Sequence, residues 1–186
     1  LRALKEELDS IIGKDRLMKE SDIPSLPFLR AIIKETMRLH PPAPLLLPYE
    51  TREACEVGGF YIPEKTRTIV NAWAIARDES AWEKPFEFLP HRFLNSTIDV
   101  KGHHFQLLPF GAGRRACPGM NLGLVTSQLL LGTLIHCFDW SLPPDIHQVD
   151  MNEKFGLTLP KAIPLVSIAT PRLSNEVFKM CKFDLS

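Results

Sequence analysis

The first twelve residues, LRALKEELDSII, set apolar side chains at Leu1, Leu4, Leu8 and Ile11 or Ile12. That spacing lines one face of an amphipathic helix, which should stop near Gly13. SDIPSLP reads as a loop into a second helix, FLRAIIKETMRL, with Ser25 as its cap and Pro27 in its first turn. HPPAP, residues 40–44, ends that helix, because consecutive prolines cannot continue it. The pattern then changes. CEVGGFYIP carries a Gly58-Gly59 hairpin signal, and RTIVNAWAI reads as a strand of β-branched and apolar residues. A short helix is expected over residues 74–82. Residues 84–109 are Pro-rich and irregular, and a loop of that length is functional or disordered. CPGMNLGLVTSQLLLGTLIHCF is apolar almost all round, the pattern of a helix buried on every side. Asn121, Ser127, Gln128 and His136 interrupt it and count against a membrane span. FGLTL and IPLVSIA are short strand candidates, and residues 174–186 read as a loosely held tail.

Composition narrows the class. The chain has 186 residues, 45% hydrophobic and 24% charged, which is ordinary for a globular domain or part of one. Basic and acidic residues both number 22, so the net charge is zero and the basic footprint of a nucleic-acid binder is missing. Cys55, Cys117, Cys137 and Cys181 lack paired spacing, which points away from a disulfide framework and toward a reducing compartment. No charged n-region or apolar leader opens the chain, and Leu1 already belongs to a helix. A piece that starts mid-domain is therefore expected.

The chemistry concentrates in FGAGRRACPG, residues 110–119. A lone cysteine is most often a buried structural thiol. Cys117 has different neighbours. It precedes a long helix, whose free amides and dipole favour an anion, and Arg114 and Arg115 stand beside it. These features favour a thiolate. Gly111, Gly113 and Gly119 allow a close approach of backbone. A nucleophile would need a base, for which His103 and His104 are the candidates. Zinc would need further ligands at a spacing not found here. A cofactor that brings its other ligands needs only one protein atom, and haem is such a cofactor.

The stretch PFGAGRRACPG resembles the cysteine loop of the cytochrome P-450 superfamily: Phe110, Gly113, Arg115, Cys117 and Gly119 fill every position of that pattern. Two more motifs agree in order. KETMRLHPP holds Glu35 and Arg38, three apart on a helix, with Glu35 inside the apolar stripe of Phe28, Ala31, Ile32 and Leu39. A carboxylate there needs a positive partner. FLPHRF holds Arg92. The style of the motifs is similar to plant A-type members.

The resemblance implies a mainly α fold with small β-sheets, with residues 1–173 the C-terminal portion of one haem-thiolate domain. It implies haem b as cofactor, with Cys117 the axial ligand of the iron. Phe110 and Pro109 would pack beside the sulfur, Arg115 would pair with a propionate, and Gly113 and Gly119 would give the close backbone. Glu35, Arg38 and Arg92 would form a buried ion set. Ala43, Leu45, Leu46, Leu157 and Thr158 would line a substrate pocket. It further implies a monooxygenase that uses O2 and a small apolar substrate, in plant secondary metabolism. Electrons would come from NADPH through a partner reductase, at the cytosolic face of the endoplasmic reticulum membrane.

Three departures stand out. His91 occupies a position where glutamate is commoner, and Tyr49 one where arginine or histidine often reaches a propionate. The family's oxygen-activating helix has no counterpart here; the resemblance puts it, and the membrane anchor, upstream of Leu1. Two other functions stay open: a hydroperoxide-rearranging member, whose cysteine loop is typically longer, and a truncated, non-catalytic fragment.

Overall fold

A computed structural model describes residues 1–179. Helix α1 (Arg2–Ile11) buries Leu4 and Leu8, and Ile12 rather than Ile11 completes its face. Leu1 is exposed. After Gly13 the chain makes a 3₁₀ turn (Glu20–Ser25) and enters α2 (Pro27–Leu39). Ser25 does not cap α2. Leu26 holds that position, and the free amides of Phe28 and Leu29 donate to the Glu7 carboxylate of α1, at 2.7 and 2.9 Å. A carboxylate at a helix start offsets the dipole, so this long-range cap also docks α1 on α2.

The middle of the chain is largely irregular. Strand β1 (Tyr49–Glu50) pairs with β4 (Arg67–Thr68), and β2 (Cys55–Val57) with β3 (Phe60–Ile62), both antiparallel. The second pair turns at Gly58-Gly59, as the sequence predicts. RTIVNAWAI is not one strand. After Thr68 it leaves the sheet and forms α3 (Ala72–Ile75), shorter and earlier than expected. The cause is Asn71, whose side-chain oxygen accepts from Ala74 N at 3.0 Å and caps a helix where the apolar run alone reads as extended. Residues 84–109 contain one 3₁₀ turn, Pro90–Phe93.

Helix α4 (Met120–Cys137) follows the cysteine loop. It is not buried on every side: 22% of it is buried, and Leu122 and Leu130 are 74% and 59% exposed. By length and composition it could cross a membrane. Its C-terminal half packs against α1, α2 and the first 3₁₀ turn, with Met18, Leu29 and Ile135 in a shared core. Gly132 leaves room there for the Met18 thioether. These elements cover one side of the helix, and an all-apolar surface needs cover on every side. His136, fully buried, bonds Gly13 O at 2.7 Å and ties the end of α4 to the end of α1.

FGLTL forms no strand, and IPLVSIA contributes only the start of β6 (Ile168–Pro171), antiparallel to β5 (Phe138–Ser141). Of the expected tail, residues 175–179 form a short helix, α5 (Asn175–Lys179), with Val177 buried against Cys137 and Leu173. Residues 180–186 of it lie outside the described residues. The architecture is helices with small two-stranded sheets.

Candidate haem-thiolate site and its ion network

Glu35 and Arg38 sit on the inner face of α2, both with 0% exposure. Their one-turn spacing brings the guanidinium alongside the carboxylate: Arg38 Nε donates to Glu35 Oε2 at 2.8 Å and Nη2 to Oε1 at 2.9 Å. Arg38 has three more N–H groups, and each finds a carbonyl of the irregular segment: Ala76 at 2.8 Å, Pro85 at 2.7 Å and Glu87 at 3.0 Å. All five donors of a fully buried guanidinium are thereby used.

Glu35 is as fully engaged. It accepts from Leu89 N at 2.7 Å and from Arg92 Nε at 3.3 Å. Arg92 also donates to the carbonyls of Glu83 and Lys84. Trp82 lies against both cations, 5.3 Å from Arg38 and 5.8 Å from Arg92. Burial pushes the Glu35 carboxyl up; the Arg38 hydrogen bonds, the Leu89 amide and the two positive charges outweigh it, and the carboxyl lies below its ordinary value. The structure thus brings Glu35, Arg38 and Arg92 together, and their hydrogen bonds fix six backbone positions of residues 76–89. Trp82 and those carbonyls give no sequence signal of their own: the tryptophan is one of three in the chain, and a carbonyl is common to every residue.

Seventeen residues beyond Arg92 the chain reaches Pro109, buried, and Phe110, half-buried. The Phe110 carbonyl accepts from Cys117 N at 2.9 Å, which closes residues 110–117 into a loop. A 3₁₀ turn (Gly113–Arg115) forms its tip, with Gly111 and Gly113 at φ 71° and 65°. The Phe110 ring packs on α4 at Gly123, where an added Cβ would lie 3.6 Å from it. The Cys117 side chain is exposed, and its carbonyl accepts from Met120 N at 3.3 Å as α4 begins. Arg114 and Arg115 are exposed, with no side-chain partner among the described residues.

The other predicted residues fall around this loop. Leu46 approaches it, 3.9 Å from where a Gly111 Cβ would lie. Leu45 lines an open cavity of about 370 Å³ with Pro44, Trp73, Phe155 and Leu159. Pro42 O accepts from Leu159 N at 3.0 Å, so the turn holding Ala43 and the segment holding Leu157 and Thr158 run side by side. A link between them that sequence reasoning missed is His40 Nδ1 on Glu153 Oε1, at 2.7 Å. His104 bonds Asp99 at 3.2 Å, and neither it nor His103 bonds Cys117. His91 packs edge-on against Phe28, with ring centroids 5.0 Å apart.

A fold of helices and small sheets, with a buried carboxylate–arginine set and an unshielded cysteine before a long apolar helix, describes a haem-thiolate architecture. The cytochrome P-450 family model matches residues 1–166, and the chain belongs to that family. Over 94% of its length it is 53% identical to flavonoid 3',5'-hydroxylase of Solanum melongena, covering 35% of that protein. Over 96% it is 52% identical to flavonoid 3',5'-hydroxylase 2 of Petunia hybrida, covering 36%. A zebra fish cytochrome P-450 solved with abiraterone superposes with a TM-score of 0.82 at 35% identity, over 92% of this chain and 39% of that one. The chain thus spans about a third of the length of the curated relatives it matches.

The family implies haem b, and the residues present fit it. No group of three or more His, Cys, Asp or Glu among the described residues could hold a bare ion. Cys117 offers one accessible soft donor, and two unpartnered guanidinium groups beside it suit the carboxylates of a porphyrin.

Proposed function

We propose that this chain is the cysteine-bearing portion of a haem-thiolate monooxygenase that inserts one oxygen atom from O2 into a small apolar substrate. The observation that carries the reading is the exposed Cys117 on a loop closed by its own backbone and flanked by free arginines. When bound, the haem supplies O2 activation and a thiolate-tuned iron. The chain's own residues do the rest. Cys117 would hold the haem iron through its sulfur. The bond from Cys117 N to Phe110 O fixes the direction in which that sulfur leaves the loop. Phe110 and Pro109 shield one side of the loop, and Arg115 pairs with a propionate. Gly113 and Gly119, without side chains, would let backbone come close to the haem. Glu35, Arg38 and Arg92 hold residues 76–92, which lead into the loop.

Ala43, Leu45, Leu46, Leu157 and Thr158 contribute to the substrate pocket. Of these, Leu45 lines the open cavity, where the Trp73 and Phe155 rings suit a flat, apolar ring system and Asn71 and Glu153 add polar groups; the relatives named as flavonoid hydroxylases support a flavonoid or related phenolic. Reducing equivalents come from NADPH through a partner flavoprotein reductase, with the whole protein held at the cytosolic face of the endoplasmic reticulum membrane. The test uses the full-length protein with reductase, NADPH, isotopically labelled O2 and a panel of flavonoids. The reading expects a product carrying one labelled oxygen, formed only with NADPH. A rearranged hydroperoxide product formed without NADPH would overturn it.

A further inference from the structure

Gly102 lies fifteen residues before Cys117, in the irregular segment, and no part of the cysteine-loop pattern includes it. It is buried, with φ +83°, and it abuts the loop backbone. A Cβ added there would lie 3.0 Å from Gly111 O, 3.1 Å from Ala112 Cα and 3.4 Å from Ala112 Cβ. The first two are backbone atoms, which cannot rotate away as a flexible side chain can. The Gly102 turn is itself anchored. Asp99 accepts from Lys101 N at 3.0 Å and pairs with His104 Nδ1 at 3.2 Å. Lys34 of α2 donates to Ile98 O at 2.6 Å. The turn is thus fixed to the helix that carries Glu35 and Arg38, and through Gly102 it rests against the cysteine loop with no side chain between.

We propose that Gly102 is a positioning residue: the backbone contact it makes with Gly111 and Ala112 sets where the loop lies, and so where the Cys117 sulfur is aimed. Any side chain at residue 102 must push Gly111 and Ala112 outward, and the loop closed by Phe110 O and Cys117 N moves with them. This rests on the haem-thiolate reading above.

Strain and collision are separable. Gly58 has φ +59°, so alanine there bears a comparable left-handed cost, but an added Cβ meets nothing within 4 Å. Gly58→Ala is therefore the matched control. The full-length protein, its Gly102→Ala variant and its Gly58→Ala variant are compared by the reduced carbon monoxide spectrum, with amide exchange of residues 110–119 followed in the haem-free protein. The expected result is a thiolate-type Soret band in the wild type and in Gly58→Ala. In Gly102→Ala more than half of that band is lost to the form without thiolate ligation, and exchange of residues 110–119 rises about tenfold while that of α2 does not change. A Gly102→Ala protein that matches Gly58→Ala in band and exchange overturns the inference and leaves the haem reading intact. A wild-type protein with no thiolate-type band overturns the haem reading and this inference with it. Should Gly102→Ala not accumulate as folded protein, Asp99→Ala carries the test, since it removes the acceptor that Lys101 N and His104 Nδ1 share without adding a side chain against the loop. A partial loss of the band supports the proposal, and an unchanged band overturns it.

Discussion

Arg38 and Arg115 are the same side chain in opposite situations. Arg38 is fully buried, and each of its five N–H groups has an acceptor. Arg115 is exposed, with no partner among the described residues. The same contrast separates the surroundings: α2 buries both members of its ion pair, whereas α4, which follows the cysteine loop, leaves Leu122 and Leu130 open. Where the chain supplies both halves of an interaction, the region is closed and satisfied. Where it supplies one half, the donor and the apolar surface stand ready for something the chain does not contain. On the reading proposed above, the first region is scaffold and the second is a half-site for haem.

Arg38→Ala breaks the comparison most severely. It leaves a buried Glu35 carboxylate with only Arg92 and one amide, and orphans three carbonyls. Removing one partner of a buried pair costs about 3–5 kcal/mol. The denaturant midpoint of the full-length protein is expected to fall accordingly, or the variant to accumulate unfolded. Arg115→Ala, by contrast, should leave that midpoint of the haem-free protein within about 0.5 kcal/mol while weakening haem retention. Equal losses of stability in the two variants would erase the distinction.

Acid sharpens the comparison. The Glu35 carboxyl lies below its ordinary value because the Arg38 hydrogen bonds, the Leu89 amide and the positive charges outweigh burial. A carboxyl with a lowered folded pKa contributes stability that is complete above the unfolded value of about 4.3 and is lost as pH falls through the folded one. Unfolding free energy measured from about pH 6 down to about pH 3 should decline in the wild type, and that decline should be shallower in Glu35→Gln. An identical slope would place the acid sensitivity elsewhere.

A smaller effect is expected at the helix start. Glu7→Gln keeps an acceptor for Phe28 N and Leu29 N but removes the charge from the α2 terminus, a loss of about 1 kcal/mol in denaturant unfolding. Smallest is Trp82→Phe. It keeps a ring for Arg38, Arg92 and Phe93 and removes an indole N–H that is buried without a hydrogen-bond partner. The two terms oppose each other, so the midpoint should shift by less than about 1 kcal/mol.

The sequence showed these regions unevenly, and for physical reasons. Glu35 was visible because a helical wheel puts a charge on an apolar stripe. Arg92 looks like surface charge until it is paired with α2, from whose Glu35 it stands 57 residues away along the chain. The acceptors of Arg38 are carbonyls of an irregular segment, which carry no side-chain code. Ser25 is a good local cap, yet Glu7 caps α2 from another helix, and only tertiary contact reveals that. RTIVNAWAI has strand composition throughout, and one side chain, Asn71, turns its second half into a helix. The all-round apolarity of α4 predicts a helix buried on every side, yet the described residues cover only one side of it. Cys117 is the most distinctive feature of the sequence, since a thiol among glycines and arginines ahead of a long helix departs from the usual buried structural cysteine, and the structure does leave it exposed.

The central claim is that the Cys117 sulfur is the protein's ligand to haem iron. Its most direct test is the reduced carbon monoxide spectrum of purified full-length protein beside that of Cys117→His, both produced with ample haem. The claim predicts a thiolate-type Soret band in the first and an imidazole-type band in the second. A thiolate-type band that survives in Cys117→His would contradict it.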